Sequence, residues 1–220
     1  MGDYIAFIIF PYFSLFIAIS IGIYRYFNDR FSFSSLSSQF LENKQLFWGS
    51  IPWHYGIILI LISHLLATLF PGLWRRFLGE QMRLFLIEIT GMAIASAVAV
   101  GILILIIRRI INPRARVVTS LFDWILLFDL LLQVILGLYI ASHYRWGGLW
   151  YLQTATPWLV SLLTLNPDIS AVVQLPLAVK LHFINGFLVI LLFPFTRLVH
   201  IFTIPIGYLW KPYQLVIWNK

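Results

Sequence analysis

Four histidines are the residues of this chain best suited to chemistry. His54 and His64 lie ten residues apart in one apolar stretch, and His182 and His200 lie eighteen apart in another. Imidazole is costly to place in hydrocarbon, and where it occurs there it faces the interior of a helix bundle. It is also the usual nitrogen ligand of haem iron. Four such residues, divided two and two between separate stretches, imply paired axial ligands for two b-type haems. A lone intramembrane histidine more often serves a bundle hydrogen bond or an ion path, and a proton relay or pH sensor built from the same four is the competing chemistry. The fifth, His143, sits beside Tyr144 and Arg145 and reads as a surface residue.

The elements that must position these residues are set by composition. Hydrophobic residues make up 61% of the chain, charged ones 10%, and mean hydropathy is +0.91, all far from soluble globular values. The chain therefore reads as an all-α integral membrane protein, multi-pass in the cell membrane. Its 220 residues form one membrane domain, 1–220, with no soluble catalytic domain. A net charge of +7 would suit a nucleic-acid binder, but in so apolar a chain Lys and Arg belong at helix ends, so no nucleic-acid partner is expected. With no cysteine, protein-ligated iron–sulfur clusters, thioether-linked haem and disulfides are all excluded.

Apolar runs long enough to cross about 30 Å of hydrocarbon occur at about residues 4–24, 51–70, 84–107, 121–140 and 177–204. The first is not a cleaved signal: only Asp3 precedes it, and the IGIYRYF flank has no small-residue cleavage site. The Ser-rich FSFSSLSS at 31–38 reads as a loop and helix cap. With the N-terminus outside, the inner side holds Arg25, Arg30, Lys44, Arg108, Arg109, Arg114, Arg116, Arg197, Lys211 and Lys220. The outer side then holds Arg75, Arg76, Arg83, Arg145 and Lys180, so ten basic residues against five favour N-terminus out and C-terminus cytoplasmic. Between spans 4 and 5, WYLQTATPWLVSLLTL is apolar but short and interrupted by Pro157, which suggests a Trp-rich surface-lying or re-entrant helix.

In this topology His54 lies near the inner face and His64 about 15 Å further out, while His182 is outer and His200 about 27 Å deeper. Depth pairs His54 with His200 and His64 with His182. Eighteen residues are five whole helical turns, so His182 and His200 should share one face of span 5. On span 2 the ten-residue spacing leaves an offset of about 80°, which calls for tilted helices or offset haems. Pro194, between Phe193 and Phe195, is placed to bend span 5.

The stretch from 180 to 216, KLHFINGFLVILLFPFTRLVHIFTIPIGYLWKPYQLV, closely resembles the last helix and tail of the gamma subunit of respiratory nitrate reductase, the dihaem cytochrome b anchor. The run LFPFTRLVHI around His200 carries most of that likeness. INPRAR at 111–116 and the span 4 pattern of Asp123, Gln133 and Gly137 extend it over nearly the whole chain, apart from the region around 143–176. The family's ligand arrangement, one haem between helices 2 and 5 near each face, agrees with the pairing by depth. The resemblance implies a subunit that oxidises quinol or menaquinol near the outer haem and passes electrons inward through the second haem to an iron–sulfur (beta) subunit. A molybdenum (alpha) subunit then reduces nitrate, as in anaerobic respiration or nitrate assimilation. Protons released outside and electrons carried inward would build proton motive force.

The resemblance also implies quinol-site candidates in His64 and in Arg83, where the family pattern has Lys; Glu88, one turn inward, is a further candidate as an ionisable acid at depth. Arg keeps the positive charge but does not readily donate a proton. An ordinary snorkelling arginine at a helix end explains Arg83 equally well. Glu88 and Asp129 depart from the family pattern; Glu88 is a candidate proton acceptor, and a neutral hydrogen-bonded acid inside the bundle is an equal reading of Asp129. No residue is assigned as catalytic. Arg108, Arg109, Arg114 and Arg116 suit haem propionates, an acidic partner surface or the membrane surface. The tail from Trp210 to Lys220, with Tyr213 and Trp218, is expected at the inner interface. Two alternatives stand beside this reading. One is a homologous cytochrome b anchor of another redox complex: nitrite oxidoreductase, or a sulfite-reductase-linked or heterodisulfide-reductase-linked one. The other is a transporter or proton channel using the same histidines.

Overall fold

The computed structural model describes residues 1–29 and 44–203. Among these residues the regular structure is helical throughout, and five helices are long and apolar enough to cross a membrane: Gly2–Asn28, Lys44–Leu69, Gln81–Ile111, Leu121–His143 and Leu177–Phe195. These are spans 1 to 5. The Ser-rich tract, Arg30, Ile204, Lys211, Lys220 and the aromatic tail, with Trp210, Tyr213 and Trp218, lie outside the described residues.

Span 2 begins well before the apolar run, at Lys44, and carries Pro52 inside it. Pro52 has no N–H for the Trp48 carbonyl, yet the helix continues, because a single lost bond is tolerated where packing fixes the flanking turns. That packing is against span 3 at glycines. A Cβ on Gly101 would lie 2.8 Å from both the Gly49 carbonyl and the Trp53 amide nitrogen, so the two backbones approach closely there. A Cβ on Gly56 would collide with the Val98 side chain. Trp53, Val98, Ile102, Leu105, Leu127 and Val134 fill the shared core of spans 2, 3 and 4. Span 3 packs in turn on span 4, span 4 on span 5, and span 5 on span 1.

Span 1 contains one wide turn, Ile5–Ile9, in which the Phe10 amide donates to the Ile5 carbonyl. Pro11 cannot donate to the Phe7 carbonyl four residues back. That carbonyl instead accepts the indole N–H of Trp158 at 3.0 Å in a buried bond. Trp158 packs edge-on against Phe7 and stacks on Phe183, centroids 5.6 and 5.2 Å away.

Two expectations need correction. The segment between spans 4 and 5 is three short helices, Gly147–Gln153, Ala155–Leu163 and Ser170–Val173. Pro157 falls in the first turn of the second, where its missing N–H costs nothing, and the interruption is at Thr154. Trp158 is only 2% exposed, so this segment docks by its aromatic face onto spans 1 and 5. Span 5 is also not one continuous helix through 204. The α-helix ends at Leu192, a 3-10 turn covers Phe193–Phe195, Thr196 is extended with φ −120° and ψ −178°, and a second 3-10 stretch runs Arg197–Thr203. Pro194 is the cause, since it withdraws a donor and crowds the turn before it. The argument from five whole turns therefore does not connect His182 to His200.

Candidate functional site

The break does not separate the histidines that depth paired. The rings of His54 and His200 face each other with centroids 6.2 Å apart and an interplanar angle of 71°. Two imidazoles bound to one metal ion from opposite sides, at nitrogen–metal distances of about 2.0 Å, have centroids about 6 Å apart. At the other end of the bundle His64 and His182 lie close enough for charge on one to act on the other.

The hydrogen bonds of the rings fix which nitrogen is left for ligation. His54 Nδ1 lies 2.8 Å from the Ser50 carbonyl oxygen and 3.0 Å from Ser50 Oγ. His64 Nδ1 lies 2.8 Å from the Ile60 carbonyl, and His200 Nδ1 2.5 Å from the Arg197 carbonyl. A carbonyl only accepts, so each Nδ1 carries the proton and each Nε2 is left as the lone-pair nitrogen. This is the outer-shell arrangement that orients metal-bound histidines. His182 differs: its Nδ1 is buried with no hydrogen-bond partner. Its ring lies against Gly137 of span 4, where a Cβ would stand 3.3 Å from His182 Cε1. The ring separation and fixed tautomers of His54 and His200 fit bis-imidazole haem ligation at one end, and the glycine cradle of His182 with the fixed tautomer of His64 fits it at the other. Among the described residues no group of three or more His, Cys, Asp or Glu forms a metal site from protein ligands alone. Haem, whose porphyrin supplies the remaining ligands, needs only the pair.

A polar ladder joins spans 4 and 5 between the two pairs. Asn185 Nδ2 donates to the Asp129 carbonyl at 3.1 Å and to Gln133 Oε1 at 3.0 Å. Asp129 is buried and its Oδ2 has no hydrogen-bond partner, which suits an acid held neutral within the bundle.

The short helix Gly147–Gln153 touches spans 2 and 3 and covers the His64 end. Tyr151 sets its ring edge-on to His64, centroids 5.4 Å apart, and its hydroxyl hydrogen-bonds Thr68 Oγ1 at 2.8 Å. Thr68 in turn donates to the His64 carbonyl at 2.9 Å. Burial pushes the Tyr151 phenol above its ordinary pKa, against the smaller opposing effect of the Thr68 bond. Glu88 Oε2 accepts the Trp146 amide N–H at 3.1 Å, and its other oxygen is buried without a partner. Trp146 is held in the left-handed region at φ 63°, uncommon for a bulky residue, and Glu88 meets its amide there. Arg83 is an exposed helix-start residue: its Nε donates to the Phe77 carbonyl at 2.8 Å and it pairs with Glu80 at 3.1 Å. His143 stacks on Tyr139 and hydrogen-bonds its carbonyl, as a surface histidine would.

At the other end, Arg108 is 1% exposed, so the basic cluster is partly an interior feature. Asp123, Arg25 and Arg197 gather around the break in span 5. Tyr151, Thr68, Ser50 and Asn185 join the site only through the fold. Ser50 and Thr68 stand four residues to either side of His54 and His64, the spacing at which side chains stack on one helix face.

Comparison with known proteins identifies the family of the chain. The family model described as "Nitrate reductase gamma subunit" matches residues 3–219. The nitrate reductase gamma chain of Bacillus subtilis (strain 168) is 34% identical over 217 residues, covering 96% of each chain. The respiratory nitrate reductase 1 gamma chain of Escherichia coli (strain K12) is 29% identical over 214 residues, covering 94% of each. The nitrate reductase-like protein NarX of Mycobacterium tuberculosis (strain ATCC 25618 / H37Rv) is 28% identical over 208 residues, which span 92% of this chain and 32% of that protein.

Proposed function

The chain belongs to the nitrate reductase gamma subunit family, and on that premise we propose that it is the dihaem cytochrome b membrane subunit of a quinol-oxidising nitrate reductase. The observation that carries the reading is the pair of facing imidazoles, His54 with His200, whose Nδ1 protons are both committed to backbone carbonyls. His54 and His200 hold the inner haem, and His64 and His182 the outer. Bound there, haem b supplies one-electron redox capacity at two depths of the membrane.

The protein's own part is position, protonation and exclusion of water. The Ser50, Ile60 and Arg197 carbonyls lock three imidazoles in the Nε2-ligating tautomer. Gly137 gives the fourth, His182, room to approach span 4. Quinol or menaquinol binds at the outer end, beside His64, under the helix that carries Tyr151. Glu88 accepts a quinol proton on the carboxylate oxygen that the Trp146 amide leaves unengaged. Arg83 supplies positive charge at the mouth of the site. The N-terminus lies outside and the C-terminus in the cytoplasm, so protons leave to the outside while electrons are delivered inside to the iron–sulfur subunit, and from it to the molybdenum subunit. Each elementary charge moved across is worth about 2.3 kcal/mol per 100 mV.

The test is to add a quinol to the purified complex and follow the haem b absorption bands. Wild type is reduced by quinol and by dithionite alike. His64→Ala retains one dithionite-reducible haem and loses rapid reduction by quinol. A chain without any haem b spectrum would overturn the reading and restore the proton-relay alternative.

A further inference from the structure

His200 lies beyond the break in span 5, on a 3-10 stretch of seven residues, Arg197–Thr203, that no continuous α-helix holds in register. Something else must aim it at His54. Arg197, the first residue of that stretch, is firmly held. Arg197 Nε donates to Asp123 Oδ1 at 2.7 Å and Nη2 to Asp123 Oδ2 at 2.9 Å, a two-pronged guanidinium–carboxylate pair. Nη2 also donates to the Val118 carbonyl at 2.7 Å. The Asp123 side chain is 6% exposed and the Arg197 side chain 21%, so the pair is screened little by solvent. Asp123 is itself fixed by a reciprocal cap: its Oδ2 accepts the Ser120 amide at 2.9 Å, and its own amide donates to Ser120 Oγ at 3.2 Å. On the other flank, Arg25 of span 1 donates to the Pro194 carbonyl at 2.7 Å and the Thr196 carbonyl at 3.4 Å, which are backbone acceptors at the break. The backbone carbonyl of Arg197 is the acceptor for His200 Nδ1.

We propose that Asp123 and Arg197 form a positioning pair for His200: the capped start of span 4 holds the Arg197 side chain, and the Arg197 carbonyl sets the rotation and tautomer of the His200 ring. Arg25 closes the same break from the opposite side. Asp123 thus acts on the inner site through two links, without touching the ring. The pair also explains how a helix interrupted by Pro194 still presents a ligand opposite span 2. This rests on the dihaem reading above.

The experiment compares wild type, Asp123→Ala, Asp123→Asn and Asp123→Glu as purified complexes. The readouts are haem b per chain by pyridine haemochrome and the low-temperature electron paramagnetic resonance signals of the two low-spin haems, which respond to the angle between the paired imidazole planes. His200→Ala, losing one haem, marks which signal is the inner one. Asp123→Ala is expected to leave the outer signal in place and to weaken inner-haem retention by about tenfold or more, the usual effect of removing a group that orients a ligand. Asp123→Asn, which keeps size and one acceptor, shifts the inner signal with smaller loss, and Asp123→Glu moves it back toward wild type. Two haems with both signals at wild-type positions in Asp123→Ala would overturn the proposal. Parallel loss of both haems in Asp123→Ala and Asp123→Asn would also overturn it, by assigning the pair to the fold at large. Failure of the dihaem reading itself is distinguishable, because wild type would then bind no haem or His200→Ala would lose none.

Discussion

Gly137 offers the sharpest quantitative test of the outer site. Its missing side chain is where the His182 ring lies: a Cβ would stand 3.3 Å from Cε1 and 3.9 Å from both ring nitrogens. Carbon atoms are at their optimum separation at about 3.5–4.0 Å, so Gly137→Ala forces the ring back by a few tenths of an ångström. His182 is a half-buried residue wedged between spans 4 and 5, so the ring can yield only by leaving its rotamer well. That costs about 0.5–1.5 kcal/mol, or a roughly two- to tenfold weaker hold on the outer haem. Gly137→Leu extends the clash to the whole ring and is expected to empty the outer site while the inner one stays filled. Gly186→Ala is the control, since its Cβ would meet only the flexible amide end of Gln133, at 3.4 Å. The assay is haem b per chain together with a potentiometric titration that resolves the two haems. Full outer occupancy with an unchanged midpoint potential in Gly137→Leu would refute the cradle argument.

Other perturbations follow from the same structure. Gly101→Ala drives a methyl against backbone atoms 2.8 Å away, so spans 2 and 3 must separate and both haems are lost, whereas Gly91→Ala, with nothing within 4 Å, is silent in the same haem assay. Trp158→Phe strips the Phe7 carbonyl of its indole donor and lowers stability by about 1–3 kcal/mol. Pro11→Ala restores a backbone donor there, so in a double-mutant cycle of thermal unfolding the two changes couple by more than about 0.5 kcal/mol. Tyr151 is held neutral by burial, its pKa raised above the ordinary 10.0. The stabilisation from the neutral phenol is therefore fully present below about pH 10 and is lost as pH rises through the folded-state pKa. Above that pH, wild-type stability should fall by a component that Tyr151→Phe lacks, and pH-resolved melting of the two proteins measures it.

The sequence made the helical membrane architecture legible because hydrocarbon imposes it: five apolar runs over 18 residues long leave little else to form. The nearness of His54 to His200 was legible because the directions of spans 2 and 5 bring both residues to one end of the bundle, a placement the break in span 5 leaves intact. What the sequence hid depends on contacts between distant parts of the chain. Span 2 runs through Pro52 because glycines bring span 3 against it, and nothing local to Pro52 announces that. Pro194 was visible as a bend, yet the extended Thr196 and the separate 3-10 stretch depend on Arg25 and Asp123, 169 and 74 residues from their partners. Tyr151 reached the outer site through a segment too short and too irregular to read from periodicity. Gly137, in sequence only one residue of a family-like pattern, has its physical role in the His182 ring that lies against it.

The central claim is that four histidines form two independent ligand pairs, and the most direct measurement is haem b per chain in wild type and in His54→Ala, His64→Ala, His182→Ala and His200→Ala. The account predicts about two haems in wild type and one in each variant, with His54→Ala and His200→Ala keeping the same spectral component and His64→Ala and His182→Ala keeping the other. Variants that sort into different pairs, or a wild type without haem b, would contradict it.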